Sequence, residues 1–369
     1  MSFRRAVSAL LALGAVSLAT SAAAAPFYTD KNDLLYYLDQ TGARHPVATP
    51  QEWNRRRNDA IANMQLVMGP LPVIDHRLPL AVEVLKEGRL AKASWRRITY
   101  VVEAGDRAYA YLYIPDGLNG RRAPAIVSLH GTTYPYYVPR GESSPDKRPA
   151  TGDTEYAQEL AERGYVVIAP DYVLRGPDYK TDPYQLGYAS GTMKGIVNHI
   201  RAVDVLASLP EVDAGRIGAI GLSLGGHNAL FLGVFEPRIR AMVSSAGFNT
   251  FFKYYGGKLK GWTSDRYMPR IASEYGNDPA RVPFDFTEIL GVLAPRPVFV
   301  NAPRSDDNFE VSGVKDCVTS ARPVYEKIFQ AADNLVAQYP EGGHGFAPAA
   351  RQAAYEHLDR WLALKPAGR

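Results

Sequence analysis

RIGAIGLSLGGHNALF, residues 216–231, joins a short apolar run to a glycine-rich turn around Ser223 and then to helix-forming residues. The turn matches the pattern G-x-S-x-G, which has mechanical meaning where a buried strand enters a helix. Small residues on both sides of the serine let the backbone bend sharply. The hydroxyl then stands clear of the strand, close to the first N–H groups of the helix. Ser223 is therefore a candidate nucleophile.

Two other interpretations of this turn remain open, a tight strand-to-helix turn without chemistry and a phosphate-binding loop. The phosphate loop is disfavoured because no lysine follows the glycines, as a P-loop requires, and the chain has no G-x-G-x-x-G pattern. We expect no cofactor and no metal.

From residue 124 onwards, short apolar runs alternate with helix-like stretches. This alternation predicts an α/β fold, with a mainly parallel twisted sheet and helices on both faces. Three earlier segments of strand length, AVEVL, ITYVV and AYAYLYIP, predict antiparallel strands at one edge of that sheet.

The chain divides into three predicted parts. In residues 1–25, Arg4 and Arg5 precede an uncharged apolar run that ends in small residues, with an A-x-A-like site at residues 22–24. This pattern predicts a cleaved export signal and a secreted or periplasmic bacterial protein, with a retained membrane anchor as the alternative. Residues 26–79 form a helical lead-in, and residues 80–369 form the catalytic domain with an insertion near 248–284.

Composition excludes several classes of protein. The formal net charge is +4, and removing Arg4 and Arg5 with the signal leaves 4 − 2 = +2. The basic residues are scattered, and RRR at 55–57 is interpreted as a solvated helix face, so nucleic-acid binding is not indicated. No later segment is a candidate membrane span. The single cysteine, Cys317, forms no internal disulfide and is interpreted as structural.

A serine hydroxyl needs a base to take its proton, and the base needs a carboxylate to orient it. His344, in YPEGGHGFAP, is the candidate base because it lies in a glycine-rich loop after the last apolar run. The loop after RPVFVNAP contains Asp306 and Asp307, which gives the order serine, aspartate, histidine. Asp306 is preferred because it comes first after the strand, and Asp307 stays the alternative.

The oxyanion of an acyl-transfer reaction needs two N–H donors. One candidate is Leu224, directly after the serine, and the other is Thr132, in the loop SLHGTTYPYY. His130 in the same loop is expected to brace it. Four aromatic residues are candidates to line an acyl or sugar pocket, with ordinary core packing as the alternative: Tyr134, Phe248, Trp262 and Tyr267.

Together, GLSLGG, LHGTT, GGHGF and the order of the three residues resemble the α/β-hydrolase superfamily over about residues 80–365. Within it, GDRAYAYLYIP followed by PAIVSLHG is similar to the group that joins dienelactone hydrolases, acetyl xylan esterases and the catalytic domains of prolyl oligopeptidases. WNRRRNDAIANMQLVMGPLP and DDNFEVSGV are similar to secreted bacterial members of the acetyl xylan esterase type. Dienelactone hydrolases use cysteine at the position of Ser223, so the resemblance disfavours that activity.

The residues and the resemblance together predict a secreted serine esterase that acts on small acyl groups, including acetyl esters of polysaccharides. Its partner is then a small-molecule or polysaccharide ester, with no nucleic acid and no membrane after signal cleavage. Two alternatives are a serine peptidase of the prolyl-oligopeptidase type and a non-catalytic binding protein that keeps the fold. The peptidase is disfavoured because fewer than about 100 residues precede the predicted catalytic core, too few for a β-propeller.

Overall fold

The structure, a computed structural model, describes residues 25–132, 155–174 and 178–364. Tyr134 and residues 1–24, which hold nearly all of the predicted export signal, lie outside these ranges. No helix within them is both long enough and apolar enough to cross a membrane.

The described ranges contain strands and helices in alternation. The strands are β1 (Tyr36–Leu38), β2 (Arg44–Pro46), β3 (Glu83–Arg89), β4 (Ala93–Glu103), β5 (Asp106–Pro115), β6 (Ala123–Leu129), β7 (Val166–Pro170), β8 (Val212–Leu222), β9 (Ile239–Ser245), β10 (Val298–Asn301) and β11 (Leu335–Gln338). The α-helices are α1 (Pro50–Met68), α2 (Tyr156–Arg163), α3 (Gly191–Ser208), α4 (Leu224–Phe235), α5 (Arg270–Ser273), α6 (Phe286–Leu293), α7 (Val311–Pro323) and α8 (Pro348–Leu362).

Nine of these strands form one sheet in the order β11-β10-β9-β8-β6-β7-β5-β4-β3. Strands β6 to β11 pair in parallel, whereas β3, β4 and β5 pair antiparallel at one edge. The order reverses around β6 and β7, so the loops after β6 and β8 meet at the carboxyl edge of neighbouring strands. The predicted α/β architecture and its antiparallel edge are confirmed.

Apolar side chains cover both faces of the sheet. One buried cluster joins the sheet to α3, α4, α6 and α7, and a smaller cluster on the other face joins it to α2 and α8. Strands β6 and β7 are buried at every position, which explains why they appear in the sequence as unbroken apolar runs. Cys317 is buried in α7, as expected of a structural cysteine.

The lead-in contains the β1–β2 hairpin and α1. Helix α1 begins as the Thr-Pro start of its sequence indicates. The Thr49 hydroxyl accepts a hydrogen bond from the N–H of Glu52, and the Glu52 carboxylate accepts one from the N–H of Thr49. This capping box satisfies N–H groups that a helix start leaves without partners.

The interpretation of RRR at 55–57 as a solvated face is wrong for its central residue. The side chain of Arg56 is fully buried, and Nη2 lies 2.5 Å from Oε1 of Glu288, which is also buried, in α6. The guanidinium carbon of Arg56 also lies 3.4 Å from the ring centroid of Tyr28. The arginine therefore forms a buried ionic contact between the lead-in and α6.

We expect Arg56→Met to lower the free energy of unfolding by about 3–5 kcal/mol, because it leaves the Glu288 carboxylate buried without its partner. Arg55→Met is the matched control. Arg55 lies one residue earlier on the same helix, is exposed and bonds the hydroxyl of Tyr37, so its loss should cost less than about 1 kcal/mol. Urea denaturation of both variants measures the difference. Equal losses would show that the burial of the Arg56–Glu288 pair does not matter.

Candidate active site

The turn between β8 and α4 holds Ser223 in a strained conformation, with φ 57° and ψ −118°. Its N–H donates to the carbonyl oxygen of Ser245 at 2.9 Å, which ties the turn to β9. A β-carbon at Gly221 would lie 2.2 Å from the carbonyl carbon of Gly225, and one at Gly225 would lie 1.8 Å from the carbonyl oxygen of Leu129. Only glycine fits at either position. The pattern around the serine is therefore a geometric requirement of this turn.

The structure brings Ser223, His344 and Asp306 into one chain of hydrogen bonds. The Ser223 Oγ lies 2.9 Å from Nε2 of His344, and Nδ1 of the same ring lies 3.0 and 3.1 Å from the two carboxylate oxygens of Asp306. A carboxylate only accepts hydrogen bonds, so Nδ1 carries the proton. Nε2 of the neutral ring is then an acceptor for the serine hydroxyl.

Asp306 is held in place from two sides. Its Oδ1 accepts hydrogen bonds from the N–H groups of Asn308 and Phe309, at 2.8 and 2.9 Å, and its side chain is 1% exposed. The side chain of Asp307 is exposed. Of the two candidate carboxylates in this loop, Asp306 is thus the one that contacts His344.

The two oxyanion candidates lie on facing segments. Leu224 is the first residue of α4, so its N–H has no acceptor within the helix. Thr132 lies three residues after the end of β6. The carbonyl oxygen of Leu129, the last residue of β6, packs directly on Gly225 of α4.

His130 fixes the peptide that joins Gly131 to Thr132. Burial lowers the pKa of His130, which keeps the ring neutral. Nε2 accepts the N–H of Tyr172 at 3.0 Å, so the proton is on Nδ1, which donates to the carbonyl oxygen of Gly131 at 2.6 Å. The C=O and N–H of a trans peptide point in opposite directions. Holding the Gly131 carbonyl therefore turns the Thr132 N–H away from His130, and the expected bracing role of this histidine has a physical basis.

Of the four aromatic candidates, only Tyr267 contacts the predicted oxyanion loop within the described residues. Its hydroxyl lies 2.8 Å from Oγ1 of Thr132. Phe248 is 1% exposed and its ring stacks on that of Phe286, with the ring centroids 5.2 Å apart. Trp262 is 2% exposed. Phe248 and Trp262 therefore pack in the core, which was the alternative to a role in the pocket. Tyr134 lies outside the described residues.

The start of α3 holds the segment that carries Tyr267. The N–H groups of Gly191 and Thr192, which have no acceptors within the helix, donate to the carbonyl oxygens of Asp265 and Tyr267 at 3.3 and 3.2 Å. A β-carbon at Gly191 would lie 2.7 Å from the Cα of Arg266, so glycine permits this approach.

Two tyrosine hydroxyls add to this anchoring. Tyr172 donates to the carbonyl oxygen of Arg266 at 2.8 Å, and Tyr184 donates to that of Asp265. Because the N–H of Tyr172 also bonds His130, Tyr172 connects the end of β6 to the segment that carries Tyr267.

Two residues near the site were not singled out in the sequence. His227, one turn after Ser223, is buried and donates from Nδ1 to the carbonyl oxygen of Gly247 at 2.9 Å. Burial lowers its pKa to about 3, so the ring is neutral. Phe309 packs its ring 5.9 Å from that of His344. The sequence offers one signal for each residue. His227 lies four residues after Ser223, and Phe309 is an aromatic residue three positions after Asp306. Among the described residues, no group of three or more histidine, cysteine, aspartate or glutamate side chains is arranged to hold a metal ion.

Comparisons with known proteins agree with this architecture. A family model described as glucuronyl esterase of fungi matches residues 196–328. Among solved structures, a glucuronoyl esterase from Solibacter usitatus superposes with a TM-score of 0.68 at 18% identity, over 91% of this chain and 98% of that one. A Bacteroides fragilis protein named as an acetyl xylan esterase gives a TM-score of 0.59 at 18% identity, over 79% of this chain and 76% of that one. The chain has the α/β-hydrolase fold.

Sequence relatives of this chain are distant. YtaP of Bacillus subtilis, a protein named as a hydrolase, is 25% identical over 316 residues, which are 80% of this chain and 96% of that protein. An uncharacterized protein of Pseudomonas aeruginosa is 32% identical over 162 residues, 42% of this chain and only 37% of that protein.

The contact between Asp306 and His344 predicts different outcomes for two neighbouring substitutions. Asp306→Asn should lower kcat by as much as roughly 10⁴, because an amide at this position favours the wrong imidazole tautomer. Asp307→Asn removes the same charge from the same loop at an exposed position, so kcat should change less than about threefold. Steady-state ester hydrolysis measures both. The reverse order of the two effects would assign the carboxylate role to Asp307.

Proposed function

We propose that this chain is an exported serine hydrolase that cleaves carboxylic esters of carbohydrates with small acyl groups. The observation that carries the proposal is the unbroken hydrogen-bonded chain from Ser223 through His344 to Asp306, at the top of a strained strand-to-helix turn. A strained backbone conformation persists only where the surrounding structure enforces it. Such conformations are common at active sites. The export signal predicted in residues 1–25 supports a secreted or periplasmic location.

The reaction proceeds through an acyl-enzyme. His344 takes the proton of Ser223 at Nε2 while Oγ attacks the ester carbonyl carbon, and Asp306 stabilises the imidazolium that forms. The N–H groups of Leu224 and Thr132 stabilise the oxyanion. His344 then gives the proton to the leaving alcohol, and a water molecule releases the acid from Ser223 by the same steps in reverse.

Two features support the substrate class. The matching family model and solved structures carry the names of esterases that act on carbohydrates, glucuronoyl esterase and acetyl xylan esterase. Near Ser223, the described side chains Thr132, His227, Tyr267 and Phe309 are uncharged, because burial keeps His227 neutral. An uncharged site of this kind favours a small neutral acyl group such as acetyl over a charged one.

We expect Ser223→Ala to lower kcat on p-nitrophenyl acetate and on acetylated xylan by a factor on the order of 10⁵ or more, because the Ser223 hydroxyl is the one that bonds His344 within the described part of the chain. Ser223 is partly exposed and the change removes a single oxygen atom, so the free energy of unfolding should change by less than about 1 kcal/mol. The same assays with methyl glucuronate esters and an unstructured peptide separate the related activities. Undiminished ester hydrolysis by Ser223→Ala would refute the proposal, and Ser223-dependent release of dipeptides without ester hydrolysis would favour a peptidase.

In this mechanism Tyr267 holds the second oxyanion donor, so Tyr267→Phe should lower kcat about tenfold and leave KM nearly unchanged. The loss is smaller than the roughly 10²–10³ expected from removing a donor outright, because the Thr132 N–H remains but is less well held. Tyr184→Phe is the matched control, since its hydroxyl bonds the same segment at the carbonyl oxygen of Asp265 rather than at Thr132. Steady-state kinetics of the two variants measure the difference in kcat. Equal losses of kcat in both would mean that the segment acts only through packing.

A further inference from the structure

Tyr255, on the insertion, has a backbone conformation that a bulky residue rarely adopts. Its φ is 46° and its ψ is 40°, in the left-handed region, and 53% of the residue is exposed. For a residue other than glycine this conformation costs roughly 1–2 kcal/mol. An exposed aromatic ring gains little burial energy to offset that cost, so the folding of the insertion alone does not account for the residue.

Two sets of contacts connect Tyr255 to the residues around Ser223. Its hydroxyl donates to Oδ1 of Asn308 at 3.1 Å, and the N–H of Asn308 bonds the Asp306 carboxylate at 2.8 Å. Its ring lies edge-to-face with that of Tyr254, with centroids 4.8 Å apart.

The ring of Tyr254 continues this path towards the triad. It lies 5.7 Å from the ring of Phe309, and Phe309 lies 5.9 Å from the ring of His344. Tyr255 is therefore on the rim of the candidate site, three aromatic contacts from the proposed base.

We propose that Tyr255 forms a binding subsite for a sugar ring of the substrate, next to the ester bond that is cleaved. The inference rests on the proposed function, because it assumes that the ester is borne by a carbohydrate.

The chemistry of the residue fits a sugar. A pyranose ring has an apolar C–H face that packs on an aromatic ring and hydroxyls at its edge that need polar partners. Tyrosine offers a large, rigid surface with little conformational entropy to lose, and the hydrogen bond to Asn308 limits rotation of the ring further. Gly256 and Gly257 follow Tyr255, and a β-carbon at Gly256 would meet nothing within 4 Å, so the turn leaves open space beside it.

A protein partner fits this surface less well. A stable protein interface buries about 800 Å² on each partner. Among the described residues of this turn, Tyr255 and Phe252 are exposed aromatic residues, with exposed fractions of 53% and 50%. The exposed lysines Lys258 and Lys260 come a few residues later. One or two rings among charged side chains match the size of a sugar unit.

The structural alternative is that Tyr255 only fastens the insertion to the loop of Asp306. Three substitutions separate the two roles. Tyr255→Phe keeps the ring and removes the bond to Asn308, Tyr255→Ala removes the ring, and Tyr255→Gly removes the ring and also relieves the backbone strain. Phe27→Ala is the matched control, because Phe27 is an exposed aromatic residue, at 44%, on the lead-in.

The experiment compares acetylated xylan with p-nitrophenyl acetate, which has no sugar. We expect Tyr255→Ala and Tyr255→Gly to raise KM for acetylated xylan about tenfold, with kcat within twofold and with unchanged kinetics on p-nitrophenyl acetate. Tyr255→Phe and Phe27→Ala should behave as the parent on both substrates. Tyr255→Gly should have a melting temperature at or above that of the parent, although it binds the polymer less well.

Two results would overturn the subsite. One is an unchanged KM for acetylated xylan in Tyr255→Ala. The other is an equal loss on both substrates in Tyr255→Ala and Tyr255→Phe, which would make the residue a structural fastener. Calorimetric titration of Ser223→Ala, with and without Tyr255→Ala, with acetylated xylo-oligosaccharide measures binding without turnover. It therefore tests the subsite even if the chain hydrolyses no ester, which would refute the proposed function alone.

Discussion

The close approach of backbone segments around Ser223 is the constraint on which the rest of the site depends. The end of β6 lies against the first turn of α4 so tightly that residue 225 has no room for a β-carbon, and residue 221 is similarly crowded by residue 225. This contact presses the predicted oxyanion loop onto the helix that begins after the serine. The strained serine and the two oxyanion candidates are thus consequences of one packing arrangement.

Support for this arrangement comes from segments far away in the chain. The lead-in reaches α6 through the buried pair of Arg56 and Glu288. At the start of that helix, the Asp285 carboxylate accepts the N–H of Phe251, whose ring packs edge-to-face on Trp262 of the insertion. The insertion in turn holds Tyr267 against Thr132. Continuous contacts therefore join the lead-in, the segment around Trp262 and Tyr267, and Thr132 after β6.

Local patterns were sufficient for much of this protein. The parallel sheet could be predicted because strands buried on both faces need unbroken apolar runs. The turn at Ser223 was recognisable because its glycines are required by sterics within five residues. His344 and the pair Asp306 and Asp307 followed from their positions after apolar runs.

Other properties depend on residues that are distant in the chain, and no local pattern carries them. Burial of Arg56 depends on Glu288, 232 positions away, so the charge pattern of α1 by itself favoured the wrong, solvated interpretation. The choice between Asp306 and Asp307 depends on the position of His344 in space. Tyr255 is exposed whereas Phe248 and Trp262 are buried, and this difference depends on the path of an irregular insertion that has no sequence periodicity. Sequence alone thus determined the order of the elements and the chemical types at the site. Tertiary structure decided which side chains meet and which face water, because both depend on contacts that form only when distant segments pack together.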